Sequence, residues 1–158
     1  MTSQPEQVLE NNLVKQLQDL GHKFVNIKDE KGLYANLKTQ LEKHNKTLFS
    51  DSEFNRVLIH LSKGNIFDKA KSLRDSYGLK RDDNTTFYVE FINQNFWCQN
   101  EFQVSNQITI EGSYTNRYDV TILINGLPLV QIELKRRGIE LKEAFNQVNR
   151  YHKHSYSA

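Results

Sequence analysis

Residues 118–135 read Tyr-Asp-Val-Thr-Ile-Leu-Ile-Asn-Gly-Leu-Pro-Leu-Val-Gln-Ile-Glu-Leu-Lys, and both arms of this stretch alternate with period two. Side chains on a strand point alternately to two faces. Val120, Ile122 and Ile124 therefore share one face, and Asp119, Thr121 and Leu123 share the other. After Asn125-Gly126, a strong hairpin-turn signal, Val130, Ile132 and Leu134 form the apolar set, opposed by Gln131, Glu133 and Lys135. Pro128 stands at the start of the second arm, where a strand tolerates proline. The stretch predicts a β-hairpin.

Register decides whether the hairpin carries chemistry, because a slip of one residue sends every side chain to the opposite face. With Asn125, Gly126 and Leu127 as the loop, Ile124 opposes Pro128 and Asp119 opposes Glu133. The Cβ atoms of such a pair lie about 4.5–5.5 Å apart. That spacing suits two carboxylates on one cation with oxygen ligands at about 2.0–2.1 Å. Lys135 follows one strand repeat later on the same face. The alternative is that these charges are the solvated face of a half-buried sheet. Leu123 and Leu129 argue that the charged face is itself partly covered, and covered acids need a metal or a partner.

Gly138 ends the hairpin region, and residues 139–152 read as a helix with Leu141, Ala144, Phe145 and Val148 toward the sheet. Gln147 and Tyr151 are i, i+4 neighbours on one stripe of it. From Lys135 to Lys153 six Lys or Arg stand against Glu140 and Glu143, a local balance of +4. Such a cluster can face phosphate or simply be a solvated helix face. His152 and His154, two apart on a helix, point away from each other and make a poor metal pair.

Asp119, the hairpin, Glu133-Leu134-Lys135 and the Gln147-x-x-x-Tyr151 helix together resemble the PD-(D/E)xK nuclease superfamily. More closely, residues 125–138 (Asn-Gly-Leu-Pro-Leu-Val-Gln-Ile-Glu-Leu-Lys-Arg-Arg-Gly) and 144–151 (Ala-Phe-Asn-Gln-Val-Asn-Arg-Tyr) resemble the amino-terminal nuclease domain of the restriction (R, motor) subunit of type I restriction–modification enzymes. Tyr118 replaces the superfamily's often variable proline. The resemblance implies a Mg²⁺-dependent endonuclease that cuts unmethylated foreign DNA after ATP-driven translocation. Asp119, Glu133 and the Leu134 carbonyl would hold the ion, with Glu10 of the first helix as a further candidate ligand. Lys135, Gln147 and Tyr151 would complete the catalytic set, and Arg136, Arg137 and Arg150 would contact double-stranded DNA. The implied partners are the methyltransferase and specificity subunits. A nuclease-like module that clamps DNA or docks a subunit without turnover is the competing reading. Another PD-(D/E)xK enzyme, of repair or transposition, fits the two quoted segments less well.

The first half of the chain is built differently. After a loose leader over residues 1–5, Leu9, Leu13, Val14, Leu17 and Leu20 mark an amphipathic helix from Glu6, stopped by Gly21. On this helix Glu10 can also be read as a solvent-facing acid near the N-terminus. Lys23–Ile27 is a short extended piece, and Leu33, Leu37 and Leu41 lie on a second helix. Ser50-Asp51-Ser52-Glu53 is a capping box opening a third helix with Phe54, Val57, Leu58 and Leu61, closed by Gly64. Ile66, Phe67, Ala70 and Leu73 suggest a fourth. Asp82-Asp83 reads as a solvated turn.

From Thr85 the pattern turns β-branched and aromatic. Phe87, Val89 and Phe91 alternate, a second run passes through Phe96 and Cys98 to Val104, and 107–110 gives a third. The aromatic residues here, and Cys98 beside Trp97, are expected in the core. The predicted fold is α+β or α/β: a restriction-endonuclease-like core with a mixed, mostly antiparallel sheet of four to five strands flanked by helices. One domain spans 1–158, with 1–80 mainly helical and 85–158 carrying the sheet.

Composition excludes several classes. Formal net charge is +2, so the whole chain is no polycation. One cysteine leaves no internal disulfide. No apolar run approaches the ~18 residues of a membrane span, and the start carries no signal peptide, which predicts a cytoplasmic protein without a membrane partner. No Gly-x-x-x-x-Gly-Lys-Ser/Thr loop occurs, so ATP would serve only motor domains lying outside this chain, and the chain reads as a piece of a larger subunit.

Overall fold

The structure, a computed structural model, describes residues 5–111, 115–135, 145, 146, 148 and 149. Two compact units emerge: residues 1–34, 102–123 and 127–158 form one, residues 35–101 and 124–126 the other. The protein is α+β, with four helices, a mixed four-stranded sheet and a separate two-stranded sheet.

The first unit starts with α1 (Glu6–Asp19), which ends before Gly21 at φ +98°, a left-handed conformation natural for glycine. The sheet runs in the order β1 (Lys23–Phe24), β4 (Phe102–Glu111), β5 (Thr115–Ile124), β6 (Leu127–Ile132). β1 is parallel to β4, pairing Lys23 with Gln103 and Phe24 with Val104. Connections of two or three residues leave β4–β5 and β5–β6 no choice but to be antiparallel.

Both faces of this sheet are covered. Val14 and Leu17 of α1 bury Val104 and Val120, with Leu13, Ile122, Ile132 and Leu134 packed around them. A second cluster joins Ile27, Ile108 and Leu123 to Val25, Leu33 and Ile110. Val120 and Leu123 lie three residues apart on β5 and so face opposite sides. On β4 strict alternation would put Val104 and Ile108 on one side, yet they belong to different clusters. Between them Gln107 adopts φ +56°, and a left-handed residue inside a strand shifts the alternation as a bulge does.

The second unit holds the part of α2 (Glu30–Asn45) after Tyr34, then α3 (Asp51–Ser62), α4 (Ile66–Ser72), and the antiparallel pair β2 (Tyr77–Lys80) and β3 (Thr86–Val89). Leu37, Leu41, Phe49, Phe54, Val57, Leu79, Val89 and Phe91 are its buried apolar residues. The Ser50/Glu53 capping box forms as read, and a second box, Asn65/Asp68, opens α4.

Several expectations are corrected. The fourth helix forms as read, though α4 buries none of its residues and Phe67 is 81% exposed. Residues 96–101 are not a strand: Asn93 Oδ1 accepts the backbone N–H groups of Asn95 and Phe96, and a 3₁₀ turn follows at Trp97–Gln99. Side-chain amides that bond the local backbone compete with a ladder. Phe96, Trp97, Tyr88 and Cys98 are exposed rather than in the core. Residues 107–110 are not a strand of their own but the second half of β4. Asp82 is an exposed turn residue as read, but it has partners: it accepts from Arg56 Nη2 at 2.6 Å and from the Ser50 hydroxyl. Phe145 and Val148, expected against the sheet, are exposed. Among the described residues no helix is long and apolar enough to cross a membrane.

Candidate active site

The hairpin turn is tighter than the three-residue loop expected. Asn125 and Gly126 adopt φ +50° and +82°, the two positive values of a two-residue type I′ turn, and Leu127 already belongs to β6. Counted from this turn, Ile124 opposes Leu127 and Asp119 opposes Ile132, so the expected opposition of Asp119 to Glu133 does not follow from the turn. Val120, Ile122, Ile132 and Leu134 nevertheless pack in one cluster. Asp119 and Glu133 are left off that cluster.

Asp119 lies on β5 between buried Tyr118 and Val120, and is itself half-buried. Its Oδ2 accepts the backbone N–H of Leu134 at 2.8 Å. That bond ties the carboxylate to the Glu133-Leu134-Lys135 segment, where the chain has left the regular strand, since β6 ends at Ile132. The Glu133 side chain is 7% exposed, and Lys135 Nζ lies 4.0 Å from Glu133 Oε2. The structure thus gathers two acids and a lysine at the open end of the hairpin.

The solvated-face alternative does not describe this end. Thr121 and Leu123, which share the alternation of Asp119, are buried. Cover from the second arm is thinner than expected, since Leu129 is 39% exposed, and Val130, read as one of the apolar set, is exposed too.

Glu10 is 3% exposed on α1, which removes its reading as a solvent-facing acid. One of its oxygens accepts Asn106 Nδ2 at 2.7 Å and the other accepts Gln107 Nε2. Among the described residues no group of three or more His, Cys, Asp or Glu comes together as a metal site, so Glu10 is not drawn into a triad with Asp119 and Glu133. Gln147, Tyr151, Arg136, Arg137, Arg150, His152 and His154 lie outside the described residues. In the second unit, an ion-pair network went unread in the sequence: Arg81 grips Glu53 through Nε at 3.0 Å and Nη2 at 3.2 Å. Arg81 and Glu53 are far apart in sequence and no spacing rule joins them.

The family of the type I restriction enzyme R protein N terminus matches residues 3–158. The chain belongs to that family. It is 49% identical over 162 residues to the type I restriction enzyme SauCOLORF180P endonuclease subunit of Staphylococcus aureus (strain COL), covering 99% of this chain and 17% of that protein. Its identity to the SsaAORF53P endonuclease subunit of Staphylococcus saprophyticus is 48%, with the same coverage. To the EcoprrI endonuclease subunit of Escherichia coli it is 35%, over 98% of this chain and 51% of that protein. The chain therefore spans about a sixth of the staphylococcal subunits. Within the R-protein family the amino-terminal segment is the part in hand, and the hairpin with Asp119 and Glu133 lies inside it.

Proposed function

We propose that this R-protein N-terminal domain is a Mg²⁺-dependent endonuclease module that hydrolyses phosphodiester bonds of double-stranded DNA. The hydrogen bond from Leu134 N–H to Asp119 carries the reading, because it holds one acid against the segment bearing the other acid and the lysine. Mg²⁺ prefers hard oxygen donors and is commonly held by one or two carboxylates. Asp119, Glu133 and the Leu134 carbonyl offer such a donor set, so the residues fit the ion. When bound, it would supply Lewis-acid stabilisation of charge on the scissile phosphate and lower the pKa of water.

The side chains would do the rest. Lys135, a compact cation beside Glu133, would orient the attacking water or stabilise charge building on the phosphate. Gln147 and Tyr151 would add neutral hydrogen bonds that position phosphate and lysine. Arg136, Arg137 and Arg150 would bind the DNA backbone, which gives affinity without sequence readout. Sequence choice would then fall to the specificity and methyltransferase subunits, and ATP-driven translocation to motor segments outside this chain, all in the cytoplasm.

Calorimetric titration of the chain with Mn²⁺ or Mg²⁺, wild type beside Glu133→Ala, tests this. Saturable binding in the wild type, lost in a folded Glu133→Ala, is the expected result. Equal binding in both would move the ion elsewhere, and no binding in either would favour a silent DNA-clamping or docking module. In the complete enzyme, Lys135→Ala should abolish cleavage and leave subunit folding and metal binding intact.

A further inference from the structure

Asp119, Thr121 and Leu123 follow one another along one face of β5. The two outer residues have clear partners. Asp119 accepts the Leu134 N–H, and Leu123 packs with Ile27 and Ile108. Thr121, between them, is 2% exposed, and its Oγ1 is buried with no hydrogen-bond partner among the described residues. A threonine hydroxyl can donate one hydrogen bond and accept two, and burying it with none is costly. Valine has the same branched shape without the hydroxyl and suits a strand as well. Packing alone therefore gives no reason for a threonine here.

We infer that Thr121 is a positioning residue of the ion site: its hydroxyl accepts a hydrogen bond from a water that the ion carries, and so steadies the hydration shell beside Asp119. The inference rests on the reading of Asp119 and Glu133 as the ion's ligands. Mg²⁺ dehydrates reluctantly and keeps several waters when one or two carboxylates hold it. Those waters present O–H donors next to the ligands, which is what an unpaired hydroxyl oxygen needs. One strand repeat, about 6.5 Å, separates Thr121 from Asp119 on their shared face. Groups that support metal ligands in this way tune affinity without touching the ion. The competing account makes Thr121 a β-branched filler of the strand, and it predicts different results.

The test takes two readouts on the 158-residue chain, the urea midpoint without metal and Mn²⁺ affinity by calorimetry. Wild type is compared with Thr121→Val, Thr121→Ser and Glu133→Ala. Thr121→Val keeps the shape and drops the hydroxyl, so its metal-free midpoint should equal or exceed that of wild type. Its Mn²⁺ affinity should fall about tenfold or more. Thr121→Ser keeps the hydroxyl and gives up a buried methyl, so its midpoint should fall while its affinity stays at the wild-type value. Wild-type affinity in Thr121→Val overturns the proposal, as does an equal loss of affinity in Thr121→Ser, which would trace the effect to packing. A lower metal-free midpoint in Thr121→Val, or its failure to fold, also overturns it, because the hydroxyl would then serve the fold. The underlying reading fails separately: Glu133→Ala binding Mn²⁺ as wild type does would take the ion off the hairpin. Binding lost in Glu133→Ala but kept in Thr121→Val sinks only the role of Thr121.

Discussion

Glu10 shows how far one side chain can depart from its sequence reading. A carboxylate at this depth must be hydrogen-bonded, and it takes the amides of Asn106 and Gln107, the second of which sits at the left-handed kink of β4. These bonds tie Glu10 to that kink, where Ile108 turns toward one cluster while Val104 serves the other. Glu10→Ala strands two partly buried amides, at a cost of about 1–3 kcal/mol. For a chain of this length the thermal midpoint should fall by roughly 2–4 °C per kcal/mol. Differential scanning calorimetry measures the loss. Mn²⁺ titration of the folded variant then separates the two roles, because unchanged affinity assigns Glu10 to the fold and lost affinity assigns it to the ion.

At the scale of elements, the capping box at Ser50 was legible because its spacing is local and its chemistry specific. Ser50→Ala should cost about 1 kcal/mol, and somewhat more for the lost hydroxyl bond to Asp82, read as a lower urea midpoint. The ion network around this cap was illegible, since Arg81 reaches Glu53 across 28 residues of chain. That network makes the second unit sensitive to acid. Arg81 holds the Glu53 carboxyl below its ordinary value of 4.5, and Ser50 and Arg56 hold Asp82 below its ordinary 3.8. A carboxyl with a depressed folded-state pKa adds stability that is complete above its unfolded value and disappears as pH falls through the folded one. Urea midpoints measured at about pH 7 and about pH 3 should therefore drop on acidification. The drop should be smaller in Arg81→Ala, where Glu53 has lost its partner. β2 also escaped the sequence reading: Tyr77-Gly78-Leu79-Lys80 is four residues with a glycine inside, too short for period two to register. The run through Phe96 and Trp97 misled in the opposite direction, because aromatic composition suggests a strand while Asn93 and Asn100 fold the backbone back on itself.

For the molecule as a whole, the hairpin was more legible than the packing around it. Asp119, Glu133 and Lys135 are tied to a hairpin by alternation, and the Asp119–Leu134 bond appears at the end where that alternation put the acids. Which residues cover the hairpin depends on contacts at long sequence separation that no local pattern carries. Charge obeys the same division. A net charge of +2 spread over 158 residues gives little attraction for DNA, so the proposed function asks the local excess of +4 between Lys135 and Lys153 to supply the binding. If each of those four charges displaces one condensed counterion, the logarithm of non-specific DNA affinity should fall with the logarithm of salt concentration at a slope of about −3.6. Replacing Arg136 and Arg137 together by alanine should reduce that slope by about 1.8 in magnitude and weaken all duplex sequences alike. Fluorescence anisotropy with a labelled duplex across a salt series reads both numbers. A slope unchanged by the double replacement would place the DNA contacts outside this segment, and the candidate backbone role of the two arginines would be lost with it.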